Sequence, residues 1–337
     1  MFNFDADRYL AIQTGAVRVA QGLESVVAER LRAGCDNVIF AGTGGAGILM
    51  EPAAEIIATR SRFDARVIRP AELMTAGSPL LGPSSLVVVP SRSGTTRESV
   101  EVIKYAQAAG AFVLGLVGNP GTPVAQAADQ AFVSFAEDDT SSESFYIQSL
   151  GLALAVLASR GDWAQARDVL ADLTALPDAL LAVKAGAEER AEQIAHAIAG
   201  FPYHIISGAG TSWPEAYYYG MCILEEMQWI RTRPVHAADF FHGTLELVDA
   251  GVSVLLLANE DPTRPLVDRV EAFARRYTDH VLVLDPAAFP APGLSAITRS
   301  LISPVILACV LERVDAYLEH IRQHPLTMRR YYNKVSY

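Results

Sequence analysis

Short apolar runs alternate with longer amphipathic stretches along the chain. Residues 5–33 set Leu10, Ala16, Val17, Val19 and Val27 among charged positions, a spacing that predicts an amphipathic helix. Residues 37–40 form an apolar run that opens into a glycine-rich turn ending at Gly47, the pattern of a buried strand entering a helix. The pattern recurs at 65–70, 85–91, 111–118 and 130–135, with helical periodicity between the runs, notably at 95–109 and 141–159. Short buried strands alternating with helices predict an α/β fold with a doubly wound parallel sheet, flavodoxin-like in kind.

Residues 161–200 lack a strand signal. They read as two Ala- and Leu-rich helices broken near Leu176 and Pro177, a helical linker. The first pattern then returns. Residues 203–210 are strand and glycine turn, 252–258 and 280–285 are buried strands, and 213–229, 262–277 and 304–322 are helices. Two of the strands repeat at a common offset of 168 residues: 86–89 recurs at 254–257 and 112–116 at 280–284. A shared offset points to a duplicated domain. The expected division is an N-terminal helix (1–34), a first domain (35–160), the linker (161–200), a second domain (201–322) and a polar, aromatic tail (323–337).

Composition narrows the class. A chain of 337 residues suggests two domains, and 51% hydrophobic with 19% charged residues is enough to build large cores. The net charge of −11 repels phosphate backbones, so nucleic acid is not an expected partner and an anionic substrate needs a local pocket. Cys35, Cys222 and Cys309 are odd in number and far apart, which argues against a disulfide scaffold and for a cytoplasmic setting. The acidic start does not read as a signal peptide. The longest apolar stretches, such as 301–311, contain a proline and are too short to span a bilayer.

Two turns are candidates for holding phosphate. Residues 42–47 satisfy GxGxxG, which alone is a weak signal. A dinucleotide site also wants an acid at the end of the next strand, whereas that strand ends in Arg69 and Pro70 with Asp64 before it, so neither nicotinamide nor flavin is expected. The second turn, 90–99, follows a buried strand and starts a helix. Ser91, Ser93, Thr95 and Thr96 surround a helix N-terminus, and Gly94 admits close backbone approach. An ordinary cap with Glu98 closing a capping box would use one hydroxyl; four exceed that need.

Acid–base candidates lie in the second half. Glu225 and Glu226 are adjacent near the end of the 213–229 helix, so one faces out and the other in, and a buried carboxyl suits proton shuttling. His242 stands in a turn before Gly243, at a sheet edge where α/β sites form, with His236 as its rival. No HxxxH or similar pattern suggests a metal.

On these residues the chain resembles the sugar isomerase (SIS) domain family, as two tandem SIS domains over nearly its whole length. Residues 91–96, Ser-Arg-Ser-Gly-Thr-Thr, look like the family's phosphosugar loop. The match implies that Ser91, Arg92, Ser93 and Thr96 contact the sugar phosphate. Thr43 and Gly44 match the turn that lines the sugar, with Gly44 where the family has serine. Glu226 and His242 are 16 residues apart, as in the isomerase half of glucosamine-6-phosphate synthase. There the glutamate moves a proton between C1 and C2, and the histidine, from the neighbouring subunit, opens the ring. Arg330 and Lys334 resemble that enzyme's C-terminal motif, whose lysine reaches the sugar carbonyl. No glutamine amidotransferase domain is expected, which sets glucosamine synthesis aside. The segments 240–247 and 329–337 look most like fructosamine-6-phosphate deglycases. The resemblance thus implies a cytoplasmic homodimer with a shared active site, no cofactor, and a phosphorylated sugar–amino acid as substrate. A glucosamine-6-phosphate deaminase or ketol isomerase, and a sugar-phosphate sensor without turnover, remain as alternatives.

Overall fold

The computed structural model describes residues 1–332, 334 and 335; Asn333, Ser336 and Tyr337 of the tail lie outside the described residues. The chain divides into two compact units.

The first unit comprises Ala6–Asp178 and Gly293–Thr298. Five strands, β1 (Asn37–Ala41), β2 (Asp64–Ile68), β3 (Ser85–Ser91), β4 (Phe112–Val117) and β5 (Gln130–Val133), form one parallel sheet in the order β2-β1-β3-β4-β5. Every residue of β1 and β3 is buried, as central strands covered on both faces require. The chain reverses its winding direction between β1 and β3, and ligands of such sheets bind beyond the carboxyl ends of the strands at that switch.

One face of the unit is closed by helices. Helix Ser141–Arg160 is buried from Ser141 through Leu157, and helix Ala6–Arg32 packs against it. The two backbones meet at Gly151, where an added Cβ would lie 2.4 Å from the Cβ of Ala20. A larger residue there would force the helices apart. The other face is cored by Ile39, Val87, Val89, Val102, Ile103 and Val113.

The second unit comprises Met1–Asp5, Ala179–Pro292 and the C-terminal stretch from Arg299. Strands β6 (Tyr203–Gly208), β7 (Arg231–His236), β8 (Ser253–Leu257) and β9 (Val281–Leu284) are parallel, in the order β7-β6-β8-β9. This is the first sheet's order without its last strand. Registers correspond too: Asn37 pairs with Ser85 in one sheet and His204 with Ser253 in the other. A buried ionic group fastens the N-terminus to this unit. Arg313, fully buried, bonds Glu188 at 3.0 Å, and Glu188 also accepts the Phe2 N–H at 2.6 Å.

The segment 161–200 is divided between the units, because the boundary falls at Asp178 within helix Leu176–Ala199. No described helix is long and apolar enough to cross a membrane.

Candidate active site

In the first unit β3 ends at Ser91 and helix Arg97–Ala108 begins after Thr96. Ser91 is buried, and its Oγ accepts the Gly94 N–H at 3.0 Å, which curls the loop back on itself. Gly94 has φ 67°, and a Cβ there would lie 2.1 Å from Thr122 Oγ1, so only glycine fits. Its carbonyl accepts the Val124 N–H at 3.0 Å, and Asn119 Nδ2 donates to the Arg92 carbonyl at 3.2 Å. The loop is therefore pinned from beneath by the segment after β4.

The N-cap hydroxyl is not spent on capping. Thr96 is the N-cap and its side chain makes no cap bond; Thr95 Oγ1 donates to Ser93 Oγ at 3.1 Å. Hydroxyls and the first-turn N–H groups thus converge at the positive end of a helix, the chemistry that holds a phosphate dianion. Arg92 pairs with Asp138 at 2.9 Å; both are over 40% exposed, so exchanging the carboxylate for a phosphate costs little. Thr43 and Gly44 are exposed on the turn after β1, with Gly44 at φ 56°. A Cβ on Gly42 would lie 2.9 Å from Pro90 Cγ, so this turn abuts the end of β3. The structure brings Thr43, Gly44, Ser91, Arg92, Ser93 and Thr96 to one sheet edge, at the switch point.

The second unit repeats the cradle and fills it. Beyond β8, Asp261 Oδ2 accepts from the Thr211 N–H and Oγ1 at 3.0 and 2.7 Å, and Oδ1 from the Thr263 N–H and Oγ1 at 2.8 and 2.6 Å. The protein's own carboxylate takes the donors that an anion would use.

Glu225 and Glu226 follow an unusual helix. The sequence predicts one helix over 213–229; the structure has an α-helix at Trp213–Tyr218 and a π-helix at Tyr219–Glu225. The Glu226 and Gln228 N–H groups reach back five residues, to Met221 and Ile223. Gly220 lets the widened turn press on β7, since a Cβ there would lie 2.6 Å from Pro234 Cγ. Glu225 is exposed and bonds Thr232 at 2.7 Å; Glu226 is about a third exposed. Burial of the inward glutamate is thus partial, because the helix ends there and the carboxylate faces a cavity of about 750 Å³ at the start of β6 and β7.

Arg329, which the sequence did not single out as a site residue, lines this cavity and donates from Nε to Glu226 Oε1 at 2.9 Å. Arg330 lies 3.9 Å from the centre of the Trp229 ring, and Lys334 donates to the Arg329 carbonyl at 2.6 Å. The tail docks here: Gln228 Nε2 donates to the His324 carbonyl at 2.8 Å, and the His324 ring stands edge-on to Trp229.

His242 lies elsewhere in the same unit. It is exposed, and its N–H is bonded to Asp239, whose own N–H is bonded to His236 at the end of β7. Glu226 borders Arg231 and Thr232 at the beginning of that strand, and His242 does not line the cavity. Six residues of strand span roughly 16–20 Å. The rival His236 accepts the Ala238 N–H at Nδ1 and packs against Trp213, a satisfied loop histidine.

Two parallel sheets wound in one order, the first with a hydroxyl-rich turn at its switch point, define a doubly wound α/β protein. Comparison with known proteins agrees. Residues 33–158 match the SIS domain. The fructosamine deglycase FrlB of Bacillus subtilis is 31% identical over 90% of this chain and 93% of its own length. The fructoselysine 6-phosphate deglycase of Escherichia coli K12 is 24% identical over 92% and 89%. A Bacillus subtilis crystal structure, provisionally described as a phosphosugar isomerase, superposes with a TM-score of 0.88 and 26% identity over 96% of this chain and 99% of its own. The chain belongs to the SIS-domain family, and the fructosamine deglycases are among its relatives.

Proposed function

We propose that this chain is a deglycase that splits a 6-phosphofructosyl-amino acid with water into glucose 6-phosphate and the free amino acid. The observation that carries this reading is the relationship to the Bacillus subtilis fructosamine deglycase over nearly the full length of both chains.

The phosphate is held by the 91–96 loop, with Thr43 and Gly44 along the sugar. His242 acts as general acid in opening the ring. Glu226 then takes a proton from C1 of the ketosamine, leaving an enaminol, and returns it to C2. The result is an imine at C1. Water adds to that carbon and the C–N bond breaks, giving the aldehyde of glucose 6-phosphate and the amine. Arg330 and Lys334 serve the amino-acid end. Acid–base steps of this kind contribute about 10²–10⁴-fold each. In this reading the protein is a homodimer, and His242 of one copy completes the site that uses Glu226 of the other. The placing of the two residues toward opposite ends of β7 supports that arrangement.

Incubation with 6-phosphofructosyl-lysine or -aspartate tests the reading. Glucose 6-phosphate and amino acid should appear in equal amounts, and Glu226→Gln and His242→Asn should lose about 10²–10⁴-fold in turnover without unfolding. Near-normal release by Glu226→Gln overturns the mechanism. Ammonia from glucosamine 6-phosphate, with no amino acid released from the ketosamines, identifies a deaminase; binding without product identifies a sensor.

A further inference from the structure

We propose that Arg329 is a positioning residue for the reaction: its guanidinium keeps the Glu226 carboxylate ionised and aimed into the cavity. The inference rests on the reading of Glu226 as the base.

Glu226 caps the π-helix, its N–H on the Met221 carbonyl at 3.2 Å, and that backbone bond does not by itself aim the carboxylate. Arg329 reaches it from the tail, more than a hundred residues away, at 2.9 Å. The guanidinium is itself held: it is only 12% exposed, and Nη1 donates to the carbonyls of Leu326 and Met328. A charge-assisted bond from a fixed donor both orients a carboxylate and favours its charged form. A base that must take a proton from C1 and return it to C2 needs both.

Among the described residues, the other ionisable groups around the cavity are Glu225, Arg231, Arg330, Tyr203, Tyr331 and Tyr332. Glu225 is turned to Thr232, and Arg330 lies over Trp229. Arg329 is the cation seated on Glu226 Oε1. Its delivery depends on the tail's dock, and the dock falls on a strained residue. Trp229 has φ 56°, a left-handed conformation that a bulky side chain holds only when its surroundings enforce it. The Ile230 N–H donates to the Leu224 carbonyl at 2.8 Å and closes this turn, while His324 and Arg330 pack on the Trp229 ring.

The test is kcat and KM against pH for the full-length wild type, Arg329→Met, Arg329→Lys and Glu226→Gln on a 6-phosphofructosyl-amino acid. Arg329→Met should lower kcat by about 10–100-fold, less than loss of the base itself, with KM within about two-fold. Its acid limb in kcat should move to higher pH, because without the neighbouring cation the carboxylate takes up a proton sooner. Arg329→Lys should recover part of the loss. If Arg329→Met does not fold, Arg329→Gln, a neutral donor, takes its place with the same expected limb shift. An unchanged kcat and limb, or a loss confined to KM, overturns the role of Arg329 alone when Glu226→Gln is inactive. An active Glu226→Gln overturns the base assignment and this inference together.

Discussion

Gly94 carries the phosphate loop's shape. Its left-handed backbone and its contact with Thr122 leave no room for a side chain. Gly94→Ala should cost about 1–3 kcal/mol in urea unfolding, from backbone strain, and raise KM for the phosphorylated substrate at least about ten-fold; a variant with wild-type KM would show that the loop is not the anchor. His204 makes a different point. Buried within β6 and bonded to Ser253 and the Ile198 carbonyl, it is held down to about 4 by burial, from an ordinary value near 6.5. Below about pH 6.5 the unfolded chain takes up a proton that the folded chain refuses until about pH 4, so stability is complete above that window and falls within it. The loss approaches about 3 kcal/mol. Urea midpoints measured from pH 7 to pH 4 should fall less steeply for His204→Asn; parallel curves would contradict the assignment. The hydroxyl cluster of the phosphate loop was legible because it is local in sequence. The Arg329–Glu226 pair was not, since nothing near either residue encodes a contact across about a hundred positions.

Most strands were legible from their apolar runs, including the half-exposed β2 and β5. The central strands β1, β3 and β8 carry apolar runs because both faces are covered, and β6 is buried from His204 onward although it holds His204 and Ser207. β7 escaped notice. It is an edge strand with Arg231 and Arg233 exposed and Pro234 in its middle, and a proline within a run argues for no strand unless the strand lies at an edge. The π-helix was also invisible, because its sequence is apolar and aromatic like that of an α-helix and the difference lies in backbone bonding to a neighbour. That difference matters for function, since it ends the helix at Glu225 and leaves Glu226 at the cavity rim. Duplication followed by divergence is visible in the two post-strand loops. In one the N-cap Thr96 makes no side-chain cap bond; in the other Asp261 takes the donors.

At the scale of the molecule, the 168-residue offset read from the sequence corresponds to two sheets wound in one order. The proposed phosphate-binding residues belong to the first unit, and the proposed acid–base residues belong to the second. Glu226 and His242 belong to the same unit and are attached toward opposite ends of β7, which favours the proposed sharing of the site between two copies. The most direct test of the account mixes two inactive variants, Glu226→Gln and His242→Asn, under conditions that let copies exchange, and measures glucose 6-phosphate released from a 6-phosphofructosyl-amino acid. A site shared between copies predicts that activity returns, to roughly one quarter of the wild type when copies pair at random. A mixture that stays as inactive as its parts, with exchange verified, would contradict it.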